Sequence, residues 1–228
     1  MSTYDAAMAI ANARGVDKVP PYTVPHAMSS TASANVAQVF GLEGVSYSPS
    51  SACTTSALAI GQAMQLIQTG RQQIVLAGGS ESLHDNMTLM FDAMGALSRR
   101  FNDTPQMASR PYDTERDGFV IASGGGVLVL ESLDHALARG ARIYAELTGF
   151  GDCTDSGGMV TPRAAGIARA MRGALNEAGK RPDYVNTHAP STPLGEYRSG
   201  RDRQSRSAAL SALAPALQSA LSHRGQPR

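Results

Sequence analysis

The 228-residue chain is short of charge, of cysteine and of long apolar runs, and each shortage closes off a class of function. Charged residues make up 17% of it, against roughly a quarter of an ordinary globular chain. The formal net charge of +1 gives no electrostatic reason to expect nucleic acid or an anionic membrane as the main partner. No stretch approaches the ~18 consecutive apolar residues of a bilayer-spanning helix. The opening MSTYDAAMAIANARG has neither a basic n-region nor an apolar h-region, so no signal peptide is expected. The two cysteines, Cys53 and Cys153, stand in unlike surroundings and make no disulfide framework; a reducing cytoplasm is the expected compartment. No Cys/His pair has ligand spacing, so no metal site is expected.

What is there is small, apolar and loop-rich, with 23 glycines, and long enough for one sizeable domain or two small ones. VPPYTVPHAM (19–28) should break the early chain between two helices. Apolar positions Ala57, Ile60, Ala63, Met64 and Ile67 recur at helical spacing and stop at Gly70. QIVLAGGS (73–80) and GGGVLVLES (124–132) read as strands buried on both faces. GVSYSPS (44–50), IYAELTGFG (143–151) and PDYVNTH (182–188) read as further strands. Helices are expected near Met87–Met94, in LDHALARG (133–140) and in RAAGIARAMRGALNEAG (163–179). This alternation predicts an α/β layered sheet. From Tyr197 the composition changes abruptly, with six arginines, no lysine and one acid among serines and alanines.

Cys53 follows a strand-like segment and falls where a helix begins. The unpaired N–H groups there, and the positive end of the helix dipole, favour a thiolate over a thiol. The same amides are suited to stabilising an oxyanion. Ser50, Ser51, Ala52, Thr54 and Thr55 leave room for an acyl group and a tight turn. Two readings stay open from these features alone: an activated nucleophile, or a small buried hydrophobe. Cys153, in GFGDCTDSGG, has no such setting and reads as structural or incidental.

SSACTTSA resembles the active-site segment of the β-ketoacyl-[acyl-carrier-protein] synthases, the condensing enzymes of fatty-acid synthesis. The resemblance continues through IVLAGGSES, FDAMGALS, SRPYDTERDGFVIASGGGVLVLE, HALARGARIYAELTGFG and DYVNTHAPSTPLGE, about residues 20–196. The VIASGGG run is similar to the type I bacterial enzymes. The resemblance implies a thiolase-like fold: two α/β halves with mixed sheets, stacked as α-β-α-β-α layers, incomplete in this chain. Residues 1–133 would be the remainder of the N-terminal half, 134–196 the start of the C-terminal half, and 197–228 a non-matching tail.

The resemblance further implies that Cys53 takes the acyl group and that His188 stabilises the enolate formed when malonyl-carrier loses CO₂. Thr192 would hydrogen-bond the phosphopantetheine arm, and Met87, Phe91 and Met94 would line the acyl-chain pocket. No cofactor would be bound permanently, since the 4'-phosphopantetheine of acyl carrier protein carries the substrates. The carrier protein and a second copy of the chain would be the partners. Arg110, Asp113, Arg116 and Asp117 read as an ion-pair network holding the long connection.

The sequence also departs from the family pattern. Ala189-Pro190-Ser191-Thr192 stands where the family has Gly-Thr-Ser-Thr, and Glu196 stands for an aspartate. The family's later lysine and second histidine have no matching motif; Gln218 and His223 hold those spacings in unrelated flanks. The expectation is a chain truncated at both ends, its coding sequence frameshifted or otherwise truncated after residue 196. The rivals are a non-catalytic fragment and a thiolase acting on coenzyme A thioesters.

Overall fold

A computed structural model describes residues 3–158 and 163–193. Glu196, Gln218, His223 and the proposed tail 197–228 lie outside the described residues. The chain divides into two compact units. One is residues 1–90 with 122–130, and the other is 91–121 with the described residues from 131 on.

In the first unit, α1 (Thr3–Arg14) and α3 (Thr31–Phe40) stand either side of the proline-rich stretch, as expected. The stretch itself holds a further short helix, α2 (Thr23–Ala27). Then come α4 (Thr55–Gln68) and β1 (Ile74–Glu81). Ile60, Gly61, Ala63 and Met64 form the buried stripe of α4, whereas Ala57 is exposed. Gly70, at φ +70°, ends the helix; the Arg71 and Gln72 N–H groups return to the Leu66 carbonyl. β1 lies along α4, and Gly79 lets it come close to the start of that helix. A Cβ on Gly79 would stand 2.3 Å from the Ser56 hydroxyl at the start of α4.

β1 pairs with β2 (Gly124–Glu131) in a two-stranded sheet. Gly78 faces Gly126 and Val127 while Ser80 faces Gly125, an antiparallel register. The expectation of strands buried on both faces is corrected here: only Ala77 of β1 is buried, and Val127 and Val129 are 53% and 62% exposed. Helix α5 (Asp85–Ala93) follows β1.

The second unit carries α6 (Leu133–Ala138) and α7 (Ala164–Ala178). Met171 is the centre of its apolar cluster, with Ile167 and Leu175 packed on it. The three further strands read from the sequence, at 44–50, 143–151 and 182–188, are not strands. A strand exists only where a neighbour completes its hydrogen-bond ladder, and no described segment pairs with these. Instead 143–151 packs on α7: added Cβ atoms on Gly149 and Gly151 would meet the Ala174 and Ala170 carbonyls at 2.3 and 2.0 Å. Glu177 accepts the Phe150 N–H at 2.8 Å. Leu97 and Phe119 form one isolated parallel bridge.

Candidate active site

Cys53 lies in a 3₁₀ turn, Ala52–Thr54, just ahead of α4 rather than in the helix's first turn. Ala52 has φ +46°, a conformation that L residues avoid. One side chain holds it there. The Thr55 hydroxyl accepts the Ser51 N–H at 2.7 Å and donates to the Ala52 carbonyl at 2.8 Å. The Thr54 N–H returns to the Ser51 carbonyl at 3.0 Å. The result is a sharp elbow that leaves the Cys53 thiol free and exposed, not buried as a small hydrophobe. Cys153 is also free, but its S–H donates to the Gly166 carbonyl at 2.9 Å.

His188 belongs to the second unit, on the extended run 182–193. It is exposed and has no hydrogen-bond partner among the described residues. The backbone after it is strained at Ala189 (φ +26°) and Ser191 (φ +75°), at about 1–3 kcal/mol for each such residue. Pro190, between them, offers no N–H. Ser191 is fully buried; its carbonyl accepts the Gly118 N–H at 3.0 Å and its hydroxyl the Arg110 N–H at 3.1 Å. Tyr112, the remaining non-glycine residue at positive φ among those described, has its hydroxyl 2.5 Å from the Thr187 hydroxyl. Ala52 adjoins Cys53, Ala189 adjoins His188, Tyr112 contacts the neighbouring Thr187, and Ser191 lies three residues past His188; stored backbone strain concentrates at functional sites.

The segment 110–118 combines ion pairs with hydrogen bonds to backbone, and Arg100 stands 3.8 Å from Asp117. Arg110 approaches Glu115 at 3.5 Å and Asp113 at 4.0 Å. Arg116 donates to the Asp113, Thr192 and Pro193 carbonyls at 2.7, 3.1 and 3.0 Å. Asp117 accepts the Ser98 hydroxyl at 2.6 Å and the Arg99 and Arg100 N–H groups at 2.9 Å. Burial pushes the Asp117 carboxyl up, but these hydrogen bonds outweigh it and hold it below the usual value. Gly118, at φ +155°, admits nothing larger, since a Cβ there would lie 2.2 Å from the Leu97 carbonyl carbon.

Thr192 is half-buried beside this clamp. Phe91 packs edge-on against Phe119, ring centroids 5.1 Å apart, next to Gly118. Met87, on α5, and Met94, just past its end, are 40% and 59% exposed, so they are not core. Sequence reasoning names Thr55 for its size and Ser191 as part of a motif, not for the hydrogen bonds they make here, and it misses Tyr112. A positive φ on glycine leaves a trace in sequence, but on alanine, serine or tyrosine it leaves none. Among the described residues no cluster of three or more His, Cys, Asp or Glu could hold a metal, and no helix is long and apolar enough to cross a membrane.

Residues 1–136 match the family model for the β-ketoacyl synthase N-terminal domain. The 3-oxoacyl-[acyl-carrier-protein] synthase 1 of Escherichia coli K12 is 53% identical over 185 residues, 81% of this chain and 46% of that protein. The Haemophilus influenzae synthase of the same name is 50% identical over 190 residues, 83% of this chain and 47% of that one. The chain thus spans about half the length of the curated relatives it matches. A crystal structure of a β-ketoacyl synthase from Burkholderia phymatum superposes with a TM-score of 0.84 at 36% identity, covering 92% of this chain and 51% of that one. A type II polyketide ketosynthase, solved with its acyl-carrier protein and bound to a hexaketide, superposes at 0.77 and 36% identity. It is matched over 81% of this chain and 47% of its own. The fold is accordingly the thiolase-like fold of the ketosynthases, present in part, and the chain belongs to the β-ketoacyl synthase family.

Proposed function

We propose that the chain serves 3-oxoacyl-[acyl-carrier-protein] synthesis, with Cys53 as acyl acceptor. In the first step the Cys53 sulfur attacks the thioester carbonyl of an acyl-carrier, forming acyl-Cys53 and releasing the carrier thiol. In the second, malonyl-carrier loses CO₂, and the resulting enolate carbon attacks acyl-Cys53. The products are 3-oxoacyl-carrier, CO₂ and, with one proton taken up, the Cys53 thiol. His188 donates a hydrogen bond to the malonyl thioester oxygen as charge develops there. Thr192 holds the phosphopantetheine arm, and Met87, Phe91 and Met94 line the acyl chain's path.

The observation that carries this reading is the elbow: an exposed thiol, without a partner among the described residues, beside Ala52 at φ +46°. The relatives are named for acyl-carrier-protein substrates, which supports that protein as partner, and a second copy of the chain is proposed to complete a homodimer. A nucleophilic thiol needs a reducing compartment, which favours the cytoplasm. The rival, a non-catalytic fragment, draws support from the exposed face of β1 and β2.

Iodoacetamide at neutral pH should alkylate Cys53 well before Cys153, whose hydrogen bond to Gly166 must break first. Incubation with acyl-carrier should add one acyl mass at Cys53. Equal labelling of both thiols with no acyl adduct leaves the fragment reading. A nucleophile and its partners act as a unit, so with the family's second histidine unmatched, no 3-oxoacyl product is expected from the 228-residue chain. Its release would mean that residues 197–228 supply the missing groups.

A further inference from the structure

We propose that Arg116 is a positioning residue for this reaction, acting through the run His188–Thr192; the inference rests on the reading above. Its guanidinium joins two segments far apart in sequence, because Nη1 donates to the Asp113 carbonyl while Nε and Nη2 donate to those of Thr192 and Pro193. Backbone N–H groups of the same turn, those of Gly118 and Arg110, hold Ser191. Arg116 is thus the side chain that fastens the far side of a strained run, in which Ala189 and Ser191 both stand at positive φ. A run held away from its preferred conformation relaxes when a restraint is removed, and His188 is joined directly to it. A planar fork with separate donors suits this task. A lysine, with its hydrogens on one nitrogen, cannot meet the same carbonyls along fixed directions. Arg116 is placed to act on the backbone of this run, through the Thr192 and Pro193 carbonyls, rather than on a reacting group.

The test compares the full chain with Arg116→Gln, Arg116→Lys, His188→Ala and the double variant Arg116→Gln/His188→Ala. Histidine ring signals are followed by ¹H–¹³C NMR, with His188→Ala identifying the His188 signal. Both Arg116 variants should shift or broaden the His188 signal while those of His26, His84 and His135 stay in place. An unmoved His188 signal overturns the proposal, as does collapse of all these signals in both variants, which would make Arg116 a general fold residue.

Release of CO₂ from malonyl-carrier supplies the second readout. Arg116→Gln should lower kcat by about 10-fold or more with KM nearly unchanged, the cost of a misplaced group. The double variant should be no slower than His188→Ala, because a residue acting through His188 has nothing left to act on. An additional loss in the double variant overturns the proposal. A parent chain that releases no CO₂, with the His188 signal still shifting, overturns the role proposed for His188 and supports the positioning by Arg116.

Discussion

At Ala189 a methyl group occupies a backbone conformation that glycine adopts freely. The resemblance to the family puts glycine at this position, and φ here is +26°. Replacing Ala189 with glycine removes a steric cost of about 1–3 kcal/mol and adds about 0.5–1 kcal/mol of backbone entropy to the unfolded chain. The steric term is the larger, so Ala189→Gly should raise the thermal midpoint by about 1–4 °C, as read by circular dichroism. A fall would mean that the neighbouring clamp, not the residue, sets the conformation at no steric cost. Ala52 differs in kind. Its strain is held by the Thr55 hydroxyl, and the thiol it presents is the one that the proposed reaction acylates and then regenerates.

Between elements, charge does what the sheet cannot. Glu131, at the end of β2, accepts Nε and Nη2 of Arg139 at 2.6 Å each and contacts His135 of α6. The Arg139 guanidinium first, and His135 second, hold its carboxyl down to about 2 from an ordinary 4.5. A carboxyl depressed by folding stabilises the fold above its unfolded value, and the effect is lost as pH falls through the folded one. The thermal midpoint should therefore drop more steeply between about pH 4.5 and 2 in the parent chain than in Glu131→Gln. Parallel curves would mean that the contact contributes nothing. The same scale shows where sequence patterns mislead. The residues of 143–151 alternate as a strand should, yet their backbone meets the alanine carbonyls of α7 through Gly149 and Gly151.

Across the whole molecule, apolar surface remains on the outside of the described residues. Val127, Val129 and Ile74 of the two strands are 53%, 62% and 41% exposed. Apolar area withheld from water is worth about 25 cal/mol per Å², and large exposed patches drive association. Sedimentation should accordingly find species above 23.8 kDa that grow with concentration across the micromolar range. A single species at that mass throughout would remove the homodimer from the proposed function.

Local chemistry made much of this protein legible in sequence. Helical periodicity marked α4 and α7, glycine-closed apolar runs marked β1 and β2, and SSACTTSA singled out Cys53. These signals are short-range, carried by residues a few positions apart. Tertiary structure alone decided which strand-like segments find a partner, and that the face of β1 and β2 stays exposed. It alone placed positive φ at Ala52, Tyr112, Ala189 and Ser191, and brought Arg116 to a carbonyl 76 residues away. The physical reason is range: ladder pairing, burial and imposed strain depend on groups distant in the chain, and no residue type records them.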